Sequence, residues 1–104
     1  MTTDMGRTQQ LTKHEARQRL EHERNSRLAQ LRAIEDSAPH ADRGLQDAQT
    51  AAIQRVLEEI DAAGSRLADG SYGTCVNCRT AIPVERLEIL PYVRFCVSCQ
   101  QHAN

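Results

Sequence analysis

The chain has 104 residues, a formal net charge of -1, 26% charged residues and only 3% aromatics. That allows one small domain and argues against non-specific nucleic-acid binding, which needs a strongly basic surface. Mean hydropathy is -0.60, and no run approaches the roughly 20 apolar residues of a membrane span.

Residues 1–10 are polar and read as a flexible tail without the apolar centre of a signal peptide. This predicts a cytoplasmic protein, in a compartment where disulfides are rare. From Leu11 to about Asp36 there is neither Gly nor Pro, and Glu, Arg, Gln, Leu and Ala favour a helix. Thr12 and Glu15 have the spacing of a capping box. Leu20, Leu28, Leu31 and Ile34 mark a thin apolar side, interrupted by Arg24 and Arg27.

Residues 37–44 break the pattern through Pro39 and Gly44, and Asp42 is placed to cap a helix beyond the break. That second helix is expected from about Leu45 to Ala68. Its Ile53, Val56, Ile60, Ala63 and Leu67 recur at the steps of a coiled-coil seam, with Gly64 as a soft spot. Two such helices on a short link fold back as an antiparallel rod. The apolar stripe is too narrow for packing on several sides. Phe95, Tyr72 and Tyr92 all lie in the last third, so the rod lacks the bulky residues of a globular core. The organisation read here is a tail over 1–10, a helical hairpin over 11–69 with its tip at 37–47, and a metal module over 70–104.

Charge is uneven along that plan. Residues 37–69 hold Arg43, Arg55 and Arg66 against Asp42, Asp47, Glu58, Glu59, Asp61 and Asp69, whereas the flanking segments are nearly balanced. Gly70 is suited to end the second helix in the left-handed conformation. Beyond it, Pro83 predicts a helical turn, Tyr92–Phe95 a short strand, and Cys99 the start of a last short helix.

Cys75 and Cys78 stand two residues apart, as do Cys96 and Cys99, with seventeen residues between the pairs. That is the spacing of a four-cysteine zinc site. Each pair forms a tight turn aiming two sulfurs at one point, and two turns supply the corners of a tetrahedron. All four positions are then protein ligands, so the one Zn²⁺ is structural and no reacting water has a place. His102 follows Cys99 closely, but the shell is already complete; His14, His22 and His40 are scattered. No cysteine stands out in the sequence as a redox-reactive thiol. There is also no nucleophile–base constellation and no phosphate-binding glycine loop, so the protein is not read as an enzyme.

Residues 67–78, Leu-Ala-Asp-Gly-Ser-Tyr-Gly-Thr-Cys-Val-Asn-Cys, together with 82–91, Ile-Pro-Val-Glu-Arg-Leu-Glu-Ile-Leu-Pro, and the second cysteine pair, resemble the zinc finger of the DksA/TraR family. The close match covers roughly 67–100; the hairpin agrees in architecture. The resemblance implies a bacterial transcription regulator that binds RNA polymerase without specific DNA contacts. Its rod enters the secondary channel and its tip approaches the catalytic centre, often together with ppGpp. Well-known members carry an Asp-x-x-Asp-x-Ala tip. Here Asp42 matches the second acid, while Pro39 and Gly44 replace the first acid and the alanine.

Asp42 and then Asp47 are therefore the candidate tip residues acting near the polymerase Mg²⁺. Arg79, Arg86 and Arg94 are candidates for contact with an acidic polymerase surface. A polar-surfaced solitary hairpin is expected to be monomeric. Two alternatives stand beside this reading: a zinc ribbon binding nucleic acid or another protein, and an accessory factor for transcript cleavage with the polymerase supplying the metal.

Overall fold

The computed structural model describes residues 11–37 and 42–103. The expected tail over 1–10, and Pro39 and His40 of the expected tip, lie outside them. Four helices follow one another: α1 (Lys13–Asp36), α2 (Arg43–Asp69), α3 (Val84–Ile89) and α4 (Val97–Ala103).

Local chemistry sets the helix ends. Thr12 accepts from the Glu15 amide while the Glu15 carboxylate accepts from the Thr12 amide, so the capping box opens α1. Asp42 accepts from the Leu45 amide at 2.9 Å. With the cap at that position, α2 starts at Arg43, slightly earlier than the sequence pattern placed it. Gly70 ends α2 with φ 88°, and a Cβ there would meet nothing within 4 Å. The need for glycine is thus one of backbone conformation and not of space.

α1 and α2 pack against each other. Leu20 meets Ile60 and Ala63, whereas the Gln46 side chain reaches the Ile34 carbonyl at 2.8 Å. Partners thus climb one helix as they descend the other, which defines an antiparallel hairpin. At 1.5 Å per residue the helices are about 36 and 40 Å long. The described molecule is correspondingly elongated, 56 × 29 × 24 Å.

The seam is not uniformly apolar. Ala16, Leu20, Ile60 and Ala63 are buried near the base. One turn further along, Glu23 and Arg27 occupy the inner face as an ion pair at 3.3 Å, each side chain a quarter exposed. The Arg27 Nε is buried without a partner. Arg24 instead points sideways to Asp61. Of the two arginines that interrupt the stripe, only Arg27 therefore enters the seam.

The carboxy-terminal part has its own core of Cys75, Ile82, Leu87 and Val93. Pro83 stands at the N-cap of α3. No strand forms over Tyr92–Phe95: among the described residues the only sheet-like pairing is one isolated bridge, Thr74 to Ala81. The 92–95 segment spends its backbone groups elsewhere, with the Val93 amide on the Leu90 carbonyl and the Arg94 carbonyl on the Val76 amide. α4 begins at Val97 and so includes Cys99.

Candidate metal centre

The four cysteines converge. Their sulfurs all lie within 4.8 Å of one another. Each pair folds in the same way: the Cys78 amide donates to the Cys75 sulfur at 3.5 Å, and the Cys99 amide to the Cys96 sulfur at 3.5 Å. These N–H bonds are the reason for the two-residue spacing, because they close the turn and favour the thiolate. The first turn is completed by Arg79, a non-glycine residue at φ 68°, whose amide donates to the Cys75 carbonyl.

Regular tetrahedral geometry with Zn–S near 2.3 Å puts sulfurs about 3.8 Å apart. Cys78 and Cys96 are 3.7 Å apart, far beyond the roughly 2.05 Å of a disulfide. All four cysteines are free of disulfides. The donor set fits one zinc ion as its only cation, with no position left for a reacting water.

Hydrogen bonds around the cluster tune the thiols. Cys75 is brought down to about 6, chiefly by the Cys78 amide against its sulfur. Cys78 is also lowered, first by the Thr80 hydroxyl 2.9 Å from its sulfur. At Cys99 the Asn77 side-chain amide, 3.3 Å away, pulls downward. Burial and the neighbouring thiols outweigh it and push the group up to about 12. Four thiolates crowd one another, and a divalent cation offsets half of their charge. His102 stays out of the cluster and bonds the Ser98 carbonyl at 2.8 Å.

The profile described as "Prokaryotic dksA/traR C4-type zinc finger" matches residues 70–103. The chain carries a dksA/traR C4-type zinc finger. The cofactor of that finger is zinc, in keeping with the sulfur cluster.

Two curated proteins share the region. General stress protein 16O of Bacillus subtilis (strain 168) is 43% identical over 47 residues, covering 45% of this chain and 29% of that protein. A protein of Aquifex aeolicus (strain VF5), described as uncharacterized, is 38% identical over 48 residues, covering 46% and 33%. The chain thus matches about a third of the length of these relatives. Likeness to a solved structure extends beyond the finger. The transcription factor DksA2 from Pseudomonas aeruginosa superposes with TM-score 0.57 at 29% identity, over 84% of this chain and 74% of that one.

The two candidate tip acids are at the other end. Asp42 is exposed and caps α2; Asp47 is exposed within α2, a little over one turn on. They are remote from the cysteines, so the described structure contains a metal-ready base and an acidic tip as separate features. Sequence reasoning gave no individual role to Leu45, which is 60% exposed three residues after Asp42. It gave none to Tyr72 either, whose hydroxyl donates to the Pro91 carbonyl at 2.7 Å. The aromatic next to Gly73 was visible in the sequence; its partner nineteen residues away was not.

Proposed function

We propose that this protein is a cytoplasmic transcription regulator that binds RNA polymerase through the secondary channel. The zinc finger serves as the base, and the hairpin tip, with Asp42 and Asp47, comes near the catalytic centre. The observation that carries this reading is the joint likeness of rod and finger to a solved transcription factor, over most of both chains.

The physical properties agree with it. A two-helix rod is narrow enough to enter a channel, and its end bears exposed carboxylates suited to a site dominated by Mg²⁺. No described helix is long and apolar enough to cross a membrane. The four-sulfur cluster leaves the zinc a structural part, so any chemistry belongs to the polymerase.

Competition with another secondary-channel factor for purified polymerase tests the binding. Displacement at micromolar concentration is expected, and absence of binding overturns the reading. The tip needs a pair of variants, because Asp42 also holds the Leu45 amide. Asp42→Ala removes cap and charge; Asp42→Asn keeps a good cap and removes only the charge. In vitro transcription with and without ppGpp should show both variants bound to polymerase but weakened in effect. Wild-type behaviour of Asp42→Asn removes the carboxylate from the mechanism.

A further inference from the structure

The rod and the finger have separate cores, and among the described residues one side chain belongs to both. Tyr72 packs against the finger cluster built on Cys75, Ile82, Leu87 and Val93 and against the hairpin cluster built on Leu20, Ile60 and Ala63. Its hydroxyl donates to the carbonyl of Pro91, itself fully buried. The ring therefore sits in the joint, and its far end is tied to the segment that leads to the second cysteine pair.

We propose that Tyr72 is the positioning residue that fixes the angle between the hairpin and the finger, and thereby where the hairpin tip lies. This rests on the polymerase reading only for its functional consequence; the mechanical claim stands on the joint alone.

The described polar ties across the joint hold direction less firmly. Arg19 and Glu88 are 3.8 Å apart and each over 40% exposed, and exposed pairs constrain geometry weakly. The Arg66 guanidinium reaches the Tyr92 carbonyl at a long 3.4 Å. Leu11, from the hairpin side, rests on the finger core, and Tyr92, from the finger, rests on the hairpin core, but neither joins both cores as Tyr72 does. The backbone after α2 turns through Gly70 and Gly73, both at positive φ, and the Ser71 and Tyr72 amides return to the Arg66 carbonyl, so the connection fixes the exit from α2 and delivers the Tyr72 ring into the joint.

Leverage makes the angle matter. With α2 about 40 Å long, a rotation of about 10° at the base moves its far end by about 7 Å. A carboxylate that acts beside a metal ion works at about 2–3 Å, so such a swing takes it out of range.

The test uses the full zinc-loaded chain. NMR residual dipolar couplings are measured for amides of α1 and α2 and for amides of the finger, in wild type, Tyr72→Phe and Tyr72→Ala. Zinc content and helical circular dichroism are followed in parallel. In the wild type both sets should fit one alignment tensor, with a degree-of-order ratio of about 1. In Tyr72→Ala, with zinc and helicity retained, the two parts should no longer fit one tensor and the ratio should fall clearly below the wild-type value. Tyr72→Phe keeps the ring and loses the tie to Pro91, so it should fall between them. If Tyr72→Ala does not fold, Tyr72→Phe decides: a drop supports the role. A ratio unchanged from wild type in the folded variant overturns it. Wild-type protein that fails to bind polymerase removes the functional reading, and the alignment data still decide the joint.

Discussion

Replacing Glu23 and Arg27 together by leucine should stabilise the hairpin by about 1–2 kcal/mol. The pair sits on the inner face of α1, each side chain a quarter exposed, with the Arg27 Nε buried and unpartnered. A buried donor left unsatisfied costs about 1–3 kcal/mol. The ion pair that is lost, spaced i, i+4 and partly screened, contributes about 0.3–0.5 kcal/mol. Leucine matches Glu and Arg closely in helix propensity, so the backbone term is small. Apolar gain is limited because the arginine stem already covers part of the seam. For a domain of this size the net effect corresponds to about 5–10 °C in Tm.

The assay is thermal and urea unfolding of zinc-saturated protein followed at 222 nm, with zinc content checked at the start. Arg27→Leu alone should gain less, since it leaves Glu23 half-buried without its partner. A double variant less stable than wild type refutes the reasoning. The pair would then be contributing a well-solvated interaction, and the seam would not be held open by an unmet donor.

Two glycines give opposite signs. Gly64, where a Cβ meets nothing within 4 Å, lies inside α2, so Gly64→Ala should stabilise by about 0.5–1 kcal/mol. Gly70→Ala should cost about 1–2 kcal/mol, because φ 88° is unfavourable for any Cβ even in open space; urea midpoints measure both. Alkaline pH probes the joint. Burial raises the Tyr72 phenol from 10.0 to about 12, and the unfolded chain then loses that proton first. The contribution is intact below about pH 10 and is lost as pH rises toward 12. Absorbance titration at 295 nm should show one high phenol that disappears in Tyr72→Phe.

The cluster of sulfurs was the most legible part of the chain. Each C-x₂-C turn is closed by its own short-range amide bond, while the Val76 amide on the Arg94 carbonyl and the small core bring the two turns together. The hairpin was legible for a related reason: Thr12 with Glu15, Asp42 and Gly70 are local signals, and the Ile53-to-Leu67 spacing names its own inner face. Long-range choices were less visible. That Arg27 would turn inward and Arg24 outward depends on where Asp61 stands on the other helix. The strand expected at Tyr92–Phe95 failed because β-favouring residues need a partner strand. The neighbouring backbone there is a cysteine turn, with one amide, of Val76, offered to Arg94. Tyr72 read as part of a motif leading into the finger, and only the folded chain shows that it also touches the hairpin core.

Metal analysis of protein purified without added zinc tests the central claim most directly, because both the base and the rod's attachment depend on the sulfur cluster. The account predicts one zinc per chain, held by Cys75, Cys78, Cys96 and Cys99. Exhaustive chelation should abolish amide protection at Ile82, Leu87 and Val93 around it. Protein that contains no metal and keeps that protection after chelation contradicts the account.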